Sequence, residues 1–490
     1  MARLTFKVAR GLEVPLSALS PGTAKALKEA FDYTNPQFKK MERLGFWTGN
    51  TPRRIQNYEI LEGPRGEELL VLPRGGTNKV RQVLRARGME PYFEDWRLEL
   101  EPVDFELLPG AVPPEPRSHQ ERIVAAALRQ ENALIRAATG SGKTEAALEF
   151  VRRVRQPAIV IVWTSGLMKQ WIDRIVLRWG WPKKRIGQYG AGKKRIGQIT
   201  VAMQQSLAQP GVSEELAKHF GVLVADEVQR FAAKTFREVI CKFPARYRLG
   251  VSADERRKDR LDFLIRDHFG SVVEEISKDE LIAKGQLCEV EIVVVPTDFH
   301  YQEVEEAAPE DRVEKLAEHY TRILDAMEVD VARNEMAIRI AAHEVRRRES
   351  SVLVFCERVD QARELARKIA IVEAVPCGLM LGQAKNREMF NDTKERLTSG
   401  ELRCAVGSKA AYQGEDIPRL TTGVVVTPTG NNRQMLEQQV GRLRRPHAGK
   451  DLGRLYYLWD PDLYPNHLDN LRRWYGSSLV SVKELGEIVG

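Results

Sequence analysis

Ala137-Ala138-Thr139-Gly140-Ser141-Gly142-Lys143-Thr144 follows a short apolar run, Ala133–Arg136, and opens a helical pattern, Glu145–Val154. Strand, glycine-bearing loop and helix, in that order, are the context in which a loop wraps phosphate. Gly140 and Gly142 let the backbone curl, so that successive N–H groups, those of Thr139 and Ser141 among them, face phosphate oxygens at a helix N-terminus. Lys143 then neutralises the β- and γ-phosphates, and the Thr144 hydroxyl ligates Mg²⁺. The stretch predicts a nucleoside triphosphate site, for ATP or GTP.

Outward from the loop, short apolar runs alternate with amphipathic ones. Ala133–Arg136, Ile159–Trp163, Ile199–Ala202, Val222–Ala225 and Tyr247–Val251 read as strands with helices between. That alternation calls for a parallel sheet with helices on both faces. A polar, helical stretch from Tyr301 to Arg348 interrupts it, and a second series runs through Ser351–Phe355, Leu402–Val406 and Gly423–Thr427. The expected fold is α/β, two tandem lobes with parallel sheets, plus a small N-terminal α+β accessory domain. The expected boundaries are an N-terminal domain at 1–106, a Pro/Gly linker at 107–116 (LLPGAVPPEP), a first lobe at 117–298, a helical connection at 299–348 and a second lobe at 349–490. No short-period repeat is evident on this reading.

Composition bounds the class. At 490 residues the chain is too long for one hydrophobic core, and 43% hydrophobic with 29% charged residues is the balance of a water-soluble globular protein. The net charge of +8 suits a polyanionic partner without requiring one. Five scattered cysteines form no CxxC pair, which points to a reducing cytoplasm rather than to disulfides or a metal site. No run is long enough to span a bilayer, so no membrane partner is expected.

Two further groups complete a hydrolytic site. Gly221–Ala225 ends in Asp226-Glu227-Val228-Gln229, about eighty residues after the loop. A carboxylate at the C-terminal end of such a strand lies beside the phosphates, which makes Asp226 the Mg²⁺-side acid. Glu227 is then the group that orients or deprotonates the attacking water. Near the C-terminus, Gln438-Gln439-Val440-Gly441-Arg442-Leu443-Arg444-Arg445 places Arg442 and Arg445 on one face of a helix. Paired guanidiniums suit a γ-phosphate that gains charge in the transition state; a solvated basic face is the ordinary alternative.

Together these three stretches resemble motifs I, II and VI of the superfamily 2 helicases, whose fold is two RecA-like lobes with ATP in the cleft between them. The resemblance runs from Gln120 to the region of Tyr475. Ala137 replaces the usual first glycine of motif I. Trp163–Trp171 is similar to motif Ia, Ile199–Leu207 to motif Ib, Ser252-Ala253-Asp254 to motif III, Val352–Glu357 to motif IV and Ser408–Pro418 to motif V. The resemblance implies an ATP-binding set of Arg117, Gln120 (the adenine reader), the loop residues, Gly414, Asp416 and Gln438. It assigns coupling of ATP state to nucleic-acid grip to Gln229, Ser252 and Asp254. Two departures bear on that coupling: Gln229 stands where close members carry His, and Asp254 where motif III ends in Thr. Gln can still donate and accept hydrogen bonds but does not titrate.

The order and spacing are most similar to the XPB-like branch, with its UvsW-like phage branch-migration helicases; Arg257-Lys258-Asp259 resembles the branch's Arg-Glu-Asp signature with its middle residue changed. The resemblance implies DNA as partner, forked or branched, with RNA less expected and protein partners unspecified. It implies backbone contacts from Thr164, Ser165, Gln204, Gln205, Ser206, Arg358, Ser408 and Lys409. Phosphate contacts of that kind carry little base specificity, as a motor stepping over any sequence requires. In the N-terminal unit, Arg74, Lys79 and Arg81 sit among recurring cations. Asn35–Lys40 mixes Lys39 and Lys40 with the aromatics Tyr33, Phe38, Phe46 and Trp47. Cations hold phosphate and rings stack on exposed bases; the same aromatics also suit the core of a small accessory domain. Three activities remain open on the sequence: a DNA translocase and helicase, an RNA helicase, and an ATP-gated clamp without processive unwinding.

Overall fold

The apolar runs are strands. Ala158–Val162 (AIVIV) and Val222–Asp226 (VLVAD) are buried at every position, as parallel strands covered on both faces are. The structure is a computed structural model that describes residues 2–113, 115, 117–209, 212, 214–231, 238–253, 260–308, 311–347, 350–382, 386–408, 417–428 and 433–490. The chain divides into two compact units, Met1–Ser277 and Lys278–Gly490. Among the described residues, no helix is long and apolar enough to cross a membrane.

The first unit holds an eight-stranded sheet in the order Lys193–Arg195, Gly187–Gly190, Ile199–Met203, Ala158–Val162, Val222–Asp226, Tyr247–Ser252, Asn132–Ala137, Val272–Ile276. Every pairing is parallel except the outermost, Gly187–Gly190 with Lys193–Arg195. Three adjacent strands therefore deliver their C-terminal ends side by side: Ala137 before the phosphate loop, Ser252, and Asp226.

That edge also holds a repeat missed by a reading based on alternation. KKRIGQ occurs at Lys183–Gln188 and again at Lys193–Gln198. The first copy puts its KKR in a single 3-10 turn and the second puts it in the edge strand. Local sequence cannot choose between these; the pairing partner does.

An N-terminal five-stranded sheet, with Ala2–Val8 between Leu12–Pro15 and Met89–Asp95, carries the helices Pro21–Ala30 and Thr77–Arg85 on its own core of Phe6, Leu12, Phe31, Leu70, Val80 and Leu84. This is the α+β domain expected. The stretch expected as a linker is strapped to the first unit: Leu108 N–H donates to Trp179 O (2.8 Å), Val112 N–H to Leu177 O (2.9 Å), and the Trp181 indole to Glu106 O (2.9 Å). Prolines and glycine set its extended backbone, while Phe105 and the two tryptophans supply apolar contact that fixes its path.

The second unit is built on a seven-stranded parallel sheet in the order Cys377–Met380, Cys404–Gly407, Val352–Phe355, Thr422–Val425, Leu452–Trp459, Glu289–Pro296, Val480–Val482. Glu289–Pro296 corrects the expected boundary at 298. This strand pairs along its whole length with Leu452–Trp459, so the second unit begins before the helical stretch. Its partner lies far along the chain, and nothing local in EVEIVVVP names the sheet it joins. The expected helical connection is likewise part of the unit: Val331–Arg347 packs Ala337, Ile338, Ile340 and Ala341 against Val352, Val354 and Val424.

Candidate functional site

The phosphate loop is held by its backbone and by two side chains of the preceding helix. Gly140 and Gly142 take left-handed backbone (φ +92° and +80°), which glycine adopts without strain. A side chain at Gly142 would also collide with Gln120, whose Nε2 lies 2.2 Å from where a Cβ would stand. Gln120 is buried; its Oε1 accepts from Arg117 N (3.1 Å), and its Nε2 donates weakly to Ser141 O and Gly142 O (3.4 Å each). His119, fully buried, donates from Nε2 to Ser141 O at 2.7 Å. The loop is thus shaped from below, and the helix Lys143–Val154 begins at its end. The unpaired N–H groups of that first turn are the anion-binding feature of such a loop. Ser141 Oγ is buried with no hydrogen-bond partner among the described residues, and Thr139 at the crest is exposed. Lys143 Nζ donates to Ala137 O at 3.0 Å.

Beside the loop, Asp226 is 6% exposed. Its Oδ2 accepts from the Trp171 indole at 2.8 Å and its Oδ1 from Glu227 N at 2.9 Å. Burial and the neighbouring Glu227 charge push its pKa up to about 6, against the opposing pull of Trp171 and Lys143. A buried carboxylate raised by a like-charged neighbour is one that a cation relieves, so Asp226 and Thr144 fit a divalent ion.

Glu227 has left-handed backbone (φ +51°), which a non-glycine residue keeps only where its surroundings hold it. From it runs a line of side chains. Gln229 Nε2 donates to Glu227 Oε2, and Ser252 Oγ donates to Gln229 Oε1, both at 2.5 Å. The coupling residues named from the sequence are therefore joined, Asp254 excepted, which lies outside the described residues. Arg257-Lys258-Asp259, Lys409, Gly414 and Asp416 also lie outside them.

The nucleic-acid candidates divide. Thr164 caps the helix Ser165–Trp179, its Oγ1 accepting from Leu167 N at 3.2 Å, with Ser165 exposed beside it. Gln205 Nε2 donates to Trp163 O at 2.9 Å, tying that loop to Gln204–Leu207 on the neighbouring strand's end. Gln204 is buried, its Oε1 without a partner among the described residues, and the turn at Gly190 packs against Ser206. Ser408 is buried after the strand Cys404–Gly407, its N–H on Met380 O at 3.2 Å. Arg358 is paired with Asp325 and donates to Thr321 O, both contacts lying at the surface.

Arg74 is a correction. It is 4% exposed, with Nη1 on Ala245 O (2.5 Å) and Nη2 on Arg246 O, so it fastens the N-terminal domain to the larger sheet instead of facing phosphate. Burial, with Arg248 and Arg97 close by, holds its pKa well below the usual range. Lys79 is similarly committed: its ammonium pairs with Asp267 (2.5 Å), which also accepts from Tyr33 (2.6 Å) and Asn57 (2.8 Å). Arg81 alone of the three is exposed, over the Phe93 ring at 5.1 Å.

The basic pair needs a second correction. The helix Arg433–Leu443 carries Gln438 and Arg442 but ends before Arg445. The two guanidiniums do not share a helical face. The turn after it is set by Lys450, whose buried ammonium donates to Arg445 O (2.9 Å) and Leu420 O (2.5 Å). Burial pushes Lys450 down to about 8. Between the two arginines, Arg444 is buried and paired with Glu437 at 3.2 Å.

Sequence reasoning missed Trp171 and His119 as supports of the site. Trp171 closes the stretch similar to motif Ia, but an indole reads as core until its N–H is seen on Asp226. His119 sits beside Gln120, and its partner is a backbone carbonyl with no sequence signal.

Parallel sheets carrying a phosphate loop and an adjoining acid pair define a P-loop ATPase. The chain matches two family models, "Type III restriction enzyme, res subunit" at residues 113–256 and "Helicase conserved C-terminal domain" at residues 334–447. It is 25% identical over 392 residues to the DNA 3'-5' translocase XPB2 of Sulfurisphaera tokodaii, covering 73% of this chain and 86% of that protein. It is 24% identical over 329 residues to the DNA 3'-5' helicase XPB of Mycobacterium tuberculosis, covering 65% of this chain and 55% of that protein. It thus spans most of the first relative and about half of the second. A fragment of a putative HsdR subunit of a type I restriction enzyme from Vibrio vulnificus YJ016 shares the fold, with a TM-score of 0.55 at 17% identity over 95% of this chain and 84% of that one. The two matched regions together cover more than half of the chain, which belongs to the superfamily 2 helicases; the eight-stranded sheet of its first unit and the seven-stranded sheet of its second have the RecA-like fold of that class.

Proposed function

We propose that this chain hydrolyses ATP to translocate on DNA, unwinding or branch-migrating forks and junctions. The observation that carries the reading is the line Ser252–Gln229–Glu227, which joins the water-orienting carboxylate to the end of the adjacent strand. A motor needs such a connection and a simple ATPase does not. An ATP-gated clamp would use the same line, so strand displacement is what separates the two readings. DNA as the track, and 3′ to 5′ as the direction, are carried over from relatives named for them.

In this reading the loop and Lys143 bind the triphosphate, Gln120 reads adenine, and Glu227 orients water for in-line attack. Thr144 and Asp226 would hold Mg²⁺, which supplies charge neutralisation at the phosphates. Arg442 and Arg445 are assigned to the charge that builds on the γ-phosphate. Thr164, Ser165 and Gln204–Ser206, which follow the C-terminal ends of two neighbouring strands, are assigned to the nucleic-acid backbone, with Ser408 as a further contact.

The test is ATP turnover without nucleic acid and with single strands, blunt duplex, forks, four-way junctions and RNA, repeated with Lys143→Ala. Forks and junctions should stimulate most, and Lys143→Ala should abolish turnover. Stronger stimulation by RNA would move the chain to the RNA helicases. Brisk DNA-stimulated turnover with no strand displacement would make it a clamp.

A further inference from the structure

The N-terminal domain sends out an ordered excursion whose apolar tip nothing described covers. Strands Asp32–Thr34 and Arg54–Gln56 pair antiparallel, and the chain between them is closed at its base by Asn35, which donates from N to Arg53 O (3.0 Å) and from Nδ2 to Pro52 O (2.9 Å). The helix Pro36–Arg43 within it has no buried residue. After it come Leu44, Phe46 and Trp47, all exposed. Trp47 is 86% exposed, the highest among the described large apolar side chains.

The tip is nonetheless shaped. Phe46 N–H donates to Met41 O and Thr51 N–H to Thr48 O, each at 2.9 Å. Gly49 has φ +51°, and a Cβ there would meet Trp47 Cζ3 at 3.0 Å and Cε3 and Cη2 at 3.3 Å each. One ring carbon nearest with its two neighbours equally placed is an approach onto the face of the ring, not its edge. The bare glycine thus supports one face of the indole while the other lies open. Fixing an aromatic plate lowers the entropy lost when a second ring lands on it.

Charge says what lands there. Residues 35–54 contain Lys39, Lys40, Arg43, Arg53 and Arg54 against one acid, Glu42. Arg54 is spent on Asp32 at 2.8 Å. An apolar tip alone would suit a protein partner, but a tip on a segment that carries four further cations suits a polyanion with planar bases. A fully stacked duplex offers no open base face; a single strand, or the junction where strands part, does.

We infer that Leu44–Gly49 is a single-strand capture point: Trp47 stacks on an unpaired base, Phe46 flanks it, and Lys39, Lys40, Arg43 and Arg53 hold the adjoining phosphates. This rests on the reading of the chain as a DNA motor and specifies where it meets unpaired DNA.

The test uses the full chain and fluorescence anisotropy with a labelled oligo-dT single strand, a fork with two single-stranded arms and a blunt duplex, each at several salt concentrations. Trp47→Ala should weaken single-strand and fork binding about tenfold, the loss of one stacked base, and leave duplex binding unchanged. Its salt slope should match wild type, and Trp47→Phe should restore most of the affinity. Lys40→Gln should instead flatten the slope for single strands by about 0.7. Unchanged thermal midpoints confirm that folding is intact. Equal loss on all three substrates, or no loss on any, overturns the inference, and in the second case leaves a protein partner as the occupant. If wild-type chain binds no DNA, the functional reading itself has failed; if it binds and Trp47→Ala binds equally, only the capture point has.

Discussion

Trp171 donates its indole N–H to Asp226 Oδ2 at 2.8 Å, inside a site where both residues are almost wholly buried. The carboxylate expected to hold the metal is therefore aimed by a residue of the helix Ser165–Trp179, whose N-terminus carries Thr164 and Ser165. Trp171→Phe keeps most of the ring and removes only the donor. A hydrogen bond to a charged group contributes about 1.5–3 kcal/mol, so kcat/KM for ATP should fall roughly ten- to hundredfold. Because Trp171 lowers the Asp226 pKa, the acid limb of the pH profile should also move to higher pH. A lower rate with an unmoved limb would mean that the indole acts through packing alone.

Asp226 itself sets the second expectation. With its pKa raised from 3.8 to about 6, kcat/KM should fall as pH drops through about 6. Higher Mg²⁺, which favours the ionised form, should move that limb to lower pH. The stability sign follows from linkage. The folded pKa lies above the unfolded one, so the native state binds the extra proton between roughly pH 4 and 6 and loses stability as pH rises through that window. The shift corresponds to about 3 kcal/mol given up at neutral pH. Asp226→Asn should abolish turnover yet raise the thermal midpoint at pH 7.5, with the gain vanishing near pH 4. A lower midpoint at pH 7.5 would contradict the burial argument.

The line from Ser252 through Gln229 to Glu227 gives the third. Ser252→Ala removes a neutral hydrogen bond of about 1 kcal/mol, which should lower turnover about fivefold or less. Strand displacement per ATP hydrolysed should fall further, since the connection and not the chemistry is cut. Gln229→Ala should reproduce the effect, and the double variant should be no worse than Gln229→Ala alone, because both break one line. Additive losses would mean that the two residues act separately.

Much of this was legible in the sequence because it is local. AATGSGKT between a strand and a helix, and an apolar strand closing on Asp226-Glu227, state their chemistry within a dozen residues. What escaped is non-local. Glu289–Pro296 reads as a strand anywhere, and only its pairing with Leu452–Trp459 assigns it to the second sheet. The two KKR segments of the repeat adopt different structures because one lies before and one within the edge pairing. Arg442 and Arg445 have helical spacing, yet the helix stops at Leu443, where Lys450 folds back onto the Arg445 carbonyl. Arg74 looked like a phosphate ligand because nothing near it in sequence shows the carbonyls of Ala245 and Arg246 waiting for it.

That correction carries its own test. Arg74→Ala leaves those two carbonyls unpaired beneath the docked N-terminal domain. Losing two charge-assisted bonds from a buried site costs about 3 kcal/mol, seen as a lower thermal midpoint and faster proteolysis between the two sheets of the first unit. Arg74→Lys should rescue little, because one ammonium does not span two carbonyls as a planar guanidinium does. The salt slope of DNA binding should stay at the wild-type value, since no phosphate contact is lost. Arg81 is the internal contrast: it is exposed over Phe93, so Arg81→Ala should leave the midpoint within about one degree and, as a phosphate contact, flatten the duplex salt slope by about 0.9. A flattened slope with Arg74→Ala at full stability would return that residue to the DNA and leave the docking of the N-terminal domain to other contacts.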